Sequence, residues 1–297
     1  MRVFVEPDAG EAPVLHGIAS AQHALWVEVY ILSDRNVTRA LETAAQRGVD
    51  VRVLLEPHPF GGGDVSAQKL IEELNAAGVH AQASDPAYYY THAKLMLVDG
   101  ATAYILTSNL SKSGLGGTAS GANREYGVID TDPGDAAELA SILHADWDHT
   151  TPTLTQARLL VSPVNSRPGL LTLIGSARAT IQIEDEEFYD QPSEDALVAA
   201  ARRGARVEVV LPAGASGEAA DIARLKAGGV RVRLLTAPYP HAKLVVVDGT
   251  VAFVGSQNFS ATSLDQNREV GSVLADHSAL ATLTQVFGQD WSLASDA

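Results

Sequence analysis

Two short stretches of the sequence place a histidine, a lysine and an aspartate at the same spacing. They are THAKLMLVDG at residues 91–100 and PHAKLVVVDG at residues 240–249. The chain has only five lysines, and two of them lie in these stretches. On a β-strand, residues i and i+2 share a face, so each histidine projects beside its lysine. Each pair can therefore address one small anion.

The opposite face of each motif strand is predicted to be buried, because every residue on it is apolar. These residues are Ala93, Leu95, Leu97, Ala242, Leu244 and Val246. Asp99 and Asp248 each precede a glycine, which predicts a turn at the strand end. A single histidine on such a strand is often a hydrogen-bonded core residue. Two copies favour a functional site, since one chance match is expected in roughly one per cent of sequences of this composition.

An internal duplication underlies the two motifs. Residues 28–57 align without a gap onto 184–213, and each segment reads strand, helix, glycine, strand. Gly48 and Gly204 suit the left-handed conformation that ends many helices. Further helices are predicted at about 64–77 and 215–227, each before another short strand.

A strand and a closing helix complete each half after its motif. The strands begin at Arg124 and Arg268, and the interval from the following glutamate to a tryptophan is 22 residues in both halves. Residues 150–156 fit neither the helical nor the strand pattern of apolar residues, which predicts a division into 1–152 and 153–297.

The alternation of strands and helices predicts an α/β fold. We expect two similar layered halves with mostly parallel or mixed sheets flanked by helices. If one phosphate is to touch both motif histidines, the halves must pack around a pseudo-twofold axis. The active site then lies at their interface.

Composition narrows the possible partners and locations. The net charge of −15 disfavours extended binding of nucleic acid, which relies on many lysines and arginines. No apolar run is long enough to span a membrane, so we expect a soluble chain, either cytoplasmic or secreted after removal of a signal. The absence of cysteine excludes disulfides and thiolate metal sites. We expect no metal and no cofactor.

The motifs resemble those of the phospholipase D superfamily, in which His-x-Lys-x-x-x-x-Asp occurs twice and each copy continues into Gly-Ser-x-Asn. The second copy, HAKLVVVDGTVAFVGSQNF, matches this pattern completely. The first copy has Leu106 and Thr107 at the Gly-Ser positions and keeps Asn109. The resemblance covers nearly the whole chain.

The resemblance implies a role for each motif residue. One histidine, assigned here to His92, attacks phosphorus, while His241 acts as acid and then base. Glu125 and Glu269 stand where the family has a carboxylate that fixes a histidine tautomer. Asp99 and Asp248 complete the catalytic motifs and are expected to orient them. The groups expected to hold the phosphoryl oxygens are Lys94, Lys243, Thr107, Asn109, Ser256 and Asn258.

The resemblance implies a metal-independent phosphodiesterase that acts through a phosphohistidine. The favoured substrate is a phospholipid, whose head group is hydrolysed or exchanged, with transient contact to a membrane surface. A nuclease that cleaves DNA or RNA is the alternative, and a catalytically silent binding scaffold is a third interpretation. Because one chain carries both motifs, we expect activity as a monomer.

Overall fold

Two mixed β-sheets, one from each half of the chain, form the framework of the protein. The computed structural model describes residues 1–60, 66–117, 121–214 and 219–297. The first sheet contains β1 (Arg2–Glu6), β2 (Ala24–Val29), β3 (Asp50–Leu55), β4 (His80–Ala83), β5 (Lys94–Val98), β6 (Thr102–Leu106) and β7 (Asn123–Asp130). The second contains β8 (Leu159–Ser162), β9 (Thr180–Asp185), β10 (Arg206–Pro212), β11 (Arg231–Leu235), β13 (Lys243–Val247), β14 (Val251–Gly255), β15 (Glu269–Leu274) and β16 (Ser295–Asp296). The short β12 (Tyr239–Pro240) crosses over and pairs with β7.

The two sheets share one topology. Their strand orders are β1-β7-β6-β5-β2-β3-β4 and β8-β15-β14-β13-β9-β10-β11, to which β16 adds an edge. Strands β2, β3 and β4 run parallel, as do β9, β10 and β11, and the remaining neighbours are antiparallel. The predicted α/β fold with two similar halves is therefore confirmed.

Helices cover the sheets and follow the predicted pattern. They are α1 (Ala12–Ser20), α2 (Arg35–Gln46), α3 (Ala67–Ala76), α4 (Pro133–Trp147), α5 (Ser166–Gly175), α6 (Gln191–Arg202), α7 (Ala219–Ala227), α8 (Ala261–Asp265) and α9 (His277–Leu293). Asp34 caps α2 by accepting from two backbone N–H groups, and Gly48 follows the helix with φ of +91°. The first residues of the helices predicted at 64–77 and 215–227 lie partly outside the described residues.

A shared apolar core lies between the two sheets. The predicted buried faces of β5 and β13 both belong to it, and so do apolar residues of α4 and α9. Leu95 and Leu244 are almost completely buried there. Burying a leucine side chain stabilises a fold by about 1.5–3 kcal/mol, so this core holds the halves firmly together. Within the described ranges, no helix combines the length and apolarity needed to cross a bilayer.

The predicted division at residues 152 and 153 falls between α4 and β8. The division into domains 1–152 and 153–297 stays a prediction, because the central core and β12 join the two parts. The two parts pack against each other through this core.

Two buried ion pairs cross between the halves at equivalent places. Arg124 Nε donates to Asp290 at 2.6 Å, and Arg268 Nε donates to Asp146 at 3.0 Å. Each arginine directly precedes one of the glutamates that sequence analysis assigned to the site. The pairs therefore fix the position of each glutamate relative to the opposite half.

Removing one of these arginines should destabilise the protein strongly. Arg268→Ala leaves Asp146 buried without its cationic partner, so we expect the free energy of unfolding to fall by about 3–5 kcal/mol. Lys69→Ala removes an exposed pair with Glu73 on α3 and should cost under about 1 kcal/mol. Urea denaturation measures both variants, and equal losses would show that the buried pair does not hold the halves.

Candidate active site

Backbone pairing across the halves brings the two motifs together. The segment before β5 forms a parallel bridge with the second half, in which His92 N–H donates to Arg268 O at 2.8 Å. In the reciprocal pairing, β12 lies parallel to the start of β7, with Pro240 opposite Arg124. His92 thus lies just before its strand and next to Glu269 of the other half. His241 likewise lies next to Glu125.

Each motif histidine is oriented by a glutamate from the opposite half. His92 Nδ1 lies 2.9 Å from the nearer oxygen of Glu269, and His241 Nδ1 lies 2.7 Å from Glu125. Burial lowers the pKa of His92, which favours a neutral ring. Although burial opposes ionisation of Glu269, His92 lowers the pKa of this carboxyl. Glu269 therefore accepts from Nδ1–H of His92, and Nε2 is left as the nucleophilic nitrogen.

The carboxylates are themselves held by hydrogen bonds from their own halves. Glu269 accepts from Ser263 Oγ at 2.6 Å and from Asn267 Nδ2 at 3.0 Å. Glu125 accepts from Thr107 Oγ1 at 2.6 Å and from Asn123 Nδ2 at 3.1 Å. This support limits the rotation of each carboxylate and, through it, of each histidine ring.

The two motif lysines are buried and differ in their electrostatics. Lys94 Nζ donates to His92 O at 2.6 Å, and Lys243 Nζ donates to His241 O at 2.5 Å and to Glu186 at 3.0 Å. Burial lowers the pKa of Lys94 to about 7. For Lys243, burial acts in the same direction, but Glu186 and Glu125 outweigh it and raise the pKa. Both ammonium groups lie close to the histidines, where positive charge can balance a phosphoryl group.

One cleft contains both histidines. It has a volume of about 490 Å³, and its lining includes His92, His241, Asn109 and Asn258. The side-chain oxygens of the two asparagines have no hydrogen-bond partner within the described ranges. Because both residues line the cleft, their amide N–H groups can donate to a ligand there. Among described residues, no group of three or more His, Asp or Glu is arranged to hold a metal ion.

The structure gives Thr107 and Ser256 a different role from the predicted phosphate contact. Both are completely buried. The Thr107 hydroxyl is occupied by Glu125 and by Tyr126 N–H, while the Ser256 hydroxyl bonds to the backbone of Val270. They directly follow β6 and β14, and their hydroxyl groups bond to the neighbouring strands β7 and β15. They support the site without facing the cleft.

The motif aspartates lie away from the cleft, as expected for residues that orient the motifs. Asp99 accepts from the backbone N–H groups of 22–24, and Asp248 accepts from those of 178–180. Both adopt left-handed backbone angles, with φ of 50° and 53°. The five residues of β5, about 16 Å long at the rise of a strand, lie between His92 and Asp99, so the carboxylate fixes the far end of the motif strand.

Three residues around the histidines were not predicted from the sequence. Glu186 Oε2 lies 3.3 Å from His241 Nε2, and the ring of Tyr30 lies 4.6 Å from that of His92. Glu56 accepts from Thr91 N–H at 2.7 Å and so holds the segment before the first motif. The signal for Glu186 was present, because the alignment of the duplicated segments places Glu186 opposite Tyr30.

The sequence matches the family described as "Cardiolipin synthase, PLD-like domain" over residues 14–147 and 170–291. The chain belongs to this family. The predicted phospholipase D superfamily is thereby confirmed. The two matched segments fall one in each half and carry one motif each.

Individual relatives agree with the family assignment. Cardiolipin synthase 2 of Bacillus cereus is 26% identical over 99% of this chain, which spans 65% of the relative's length. The chain thus spans just under two thirds of such curated relatives. Among solved structures, a phosphatidylserine synthase of Haemophilus influenzae has a TM-score of 0.75 at 13% identity, covering all of this chain and 87% of that one. A polyphosphate kinase of Porphyromonas gingivalis has a TM-score of 0.75 at 16% identity, covering 96% of this PLD-like chain and 46% of the kinase.

The two structural neighbours show the fold alone. They carry different names on one architecture, so the fold of this PLD-like protein does not define its reaction.

Glu269→Gln should impair catalysis while leaving the fold intact. The amide keeps the size of the carboxylate but loses the charge that fixes the tautomer of His92. We expect the single-turnover rate on a phosphodiester to fall by about 10²–10⁴-fold. Glu72→Gln, which changes an exposed residue of α3, is the control. A loss below about threefold for Glu269→Gln would show that the carboxylate does not orient the nucleophile.

Proposed function

We propose that the protein is a phospholipid-directed phosphodiesterase or phosphatidyltransferase that acts through a phosphohistidine. The observation that carries this proposal is that two histidines line one cleft and each has its Nδ1 held by a glutamate of the opposite half. This arrangement provides a nucleophile and an acid on a single phosphate. The lysines beside them supply positive charge.

The reaction follows from these positions in two steps. Nε2 of His92 attacks phosphorus, the bond to the leaving oxygen breaks, and His241 gives that oxygen a proton. A water or an alcohol then enters, His241 takes its proton, the acceptor oxygen attacks phosphorus, and the bond between phosphorus and Nε2 of His92 breaks. The first acceptor gives hydrolysis and the second gives head-group exchange. Lys94, Lys243, Asn109 and Asn258 are proposed to hold the phosphoryl oxygens in both steps.

The lining of the cleft supports a lipid substrate over a nucleic acid. Within the described ranges, it contains neither arginine nor lysine that could pair with a second phosphate. The segments outside those ranges, 61–65, 118–120 and 215–218, have no basic residue in their sequences either. The charges of neighbouring phosphates in DNA or RNA would therefore not be neutralised by basic residues of the cleft. A phospholipid with one phosphodiester has no second phosphate to neutralise. The relatives named cardiolipin synthases also favour the lipid.

The mouth of the cleft is suited to a transient contact with a membrane surface. Phe60 is 84% exposed and Tyr89 is 62% exposed, and both line the cleft. Aromatic side chains at a water–lipid boundary bury apolar area while keeping polar groups wet. We propose that this rim meets the lipid from which the head group is taken. One chain supplies both motifs, so the monomer is proposed to be the active form.

The direct test presents phospholipid and nucleic acid substrates in parallel. Wild-type protein and His92→Ala are incubated with mixed phospholipid micelles containing glycerol and with single- and double-stranded nucleic acids. We expect released head group or exchanged lipid from the wild type only, at a rate at least about tenfold above any nucleic acid cleavage. Nucleic acid cleavage that depends on His92, without lipid products, would establish the nuclease instead.

The same assay examines metal independence. Because two lysines supply the positive charge that a cation provides elsewhere, lipid turnover should persist within about twofold in excess EDTA. Complete loss that only a divalent ion restores would contradict this part of the proposal.

A further inference from the structure

The two halves differ at a position next to the reacting histidines. Val29 lies opposite Lys94 in the first sheet, and Asp185 lies opposite Lys243 in the second. Tyr30 directly follows Val29, and Glu186 directly follows Asp185. Tyr30 and Glu186 are therefore equivalent both in the register of the sheets and in the alignment of the duplicated sequence.

The equivalent residues make different contacts with their histidine–lysine pairs. The Tyr30 ring packs edge-on against His92 at 4.6 Å and lies 5.2 Å from Lys94 Nζ. Glu186 Oε2 instead lies 3.3 Å from His241 Nε2 and accepts from Lys243 Nζ at 3.0 Å. One histidine thus faces an aromatic ring where the other faces a carboxylate.

Both ring nitrogens of His241 face a carboxylate, and Lys243 Nζ also lies 3.5 Å from Nδ1. Its Nδ1 faces Glu125 and its Nε2 faces Glu186. Although burial opposes it, the charges of His241 and Lys243 lower the pKa of Glu186 to about 2, so this carboxylate accepts only. The pKa of Glu125 is also lowered despite burial, chiefly by His241. Each carboxylate can accept a hydrogen from the ring nitrogen that it faces, and Glu186 is the acceptor nearest to Nε2 of His241.

His92 has a single acceptor by contrast. Glu269 takes its Nδ1–H, and no atom of the described chain forms a hydrogen bond with its Nε2. Its ring therefore satisfies its contacts as a neutral imidazole with a free lone pair. This is the form that attacks phosphorus.

We propose that Glu186 is a positioning residue that holds the proton on Nε2 of His241 before substrate binds, and thereby makes His241 the acid and His92 the nucleophile. The inference rests on the proposed function. When substrate enters, the leaving oxygen takes the acceptor place of Glu186, receives the proton from Nε2, and departs as the alcohol. A position outside the motifs thus sets the direction of an otherwise nearly symmetric site.

The test compares substrates that differ in their need for an acid. The head group of a phospholipid is an alkoxide leaving group and needs a proton. The leaving group of a p-nitrophenyl phosphodiester is a stabilised phenolate and does not. Glu186→Ala should lower kcat on the phospholipid by about 10²-fold and on the p-nitrophenyl ester by less than about threefold. The KM should not rise, because Lys243 loses a competing anion. Glu186→Asp should restore part of the phospholipid rate.

Glu187→Ala is the matched control, because Glu187 lines the same cleft but accepts from the Tyr189 hydroxyl. It should change both rates by one common factor. Equal losses on both substrates in Glu186→Ala, or a selective loss in the control, would overturn the role of Glu186. Retained turnover of the p-nitrophenyl ester shows that the variant is folded.

A second readout keeps the proposal testable apart from the reaction. In ¹⁵N NMR, Nε2 of His241 in the free protein should carry a hydrogen, and this signature should be lost in Glu186→Ala. The resonance is assigned with His241→Asn. An unchanged signature contradicts the proposal. If no phosphodiester is turned over by the wild type, the proposed function fails, while the NMR result still decides what Glu186 does.

Discussion

The whole site depends on one exchange between the halves: each catalytic histidine takes its orientation from a glutamate of the other. Neither half could fix a tautomer alone, because His92 Nδ1 meets Glu269 and His241 Nδ1 meets Glu125. The exchange is built into the backbone, since the segment before each motif pairs with the strand start that carries the opposite glutamate. The arginine beside each glutamate then joins an aspartate across the same boundary. Duplication thus produced one site from two incomplete ones.

Holding so many charges out of water opposes folding, and the site offsets this cost with matched partners. Burial lowers the pKa of Lys94 to about 7, below its ordinary value of 10.5. Between these values the unfolded chain binds the extra proton, so this group makes the fold more stable as pH rises through that window. Lys243 avoids the same penalty because Glu186 neutralises it. A bound phosphate would stabilise the charged form of Lys94 in the same way, so substrate binding would raise the pKa of this lysine.

Sequence alone predicted the fold and the motif residues because both leave periodic signals. These signals are the apolar face of β5 and β13, the glycine after α2 and the constant offset of the repeat. Each of them can be read from the sequence without knowing which segments meet in the fold. Contacts between distant segments leave no such signal. The spacing of Thr107 says nothing about whether its hydroxyl meets a phosphate or Glu125, and only the pairing of β6 with β7 decides it. Asp99 was expected to orient the motif, but its backbone partners at residues 22–24 could not be read from the spacing. Glu186 was visible in the repeat alignment, but its meaning required the distance to His241.

The central claim is that His92, oriented across the halves by Glu269, becomes covalently linked to phosphorus. Wild-type protein is mixed with a phosphodiester substrate, quenched in alkali during the first turnover, digested, and analysed by mass spectrometry. The account predicts a phosphorus-containing adduct on the peptide that carries His92, absent from His92→Ala and diminished in Glu269→Gln. An adduct on His241 would reverse the two roles. Turnover with no histidine adduct at any quench time would contradict the covalent mechanism itself.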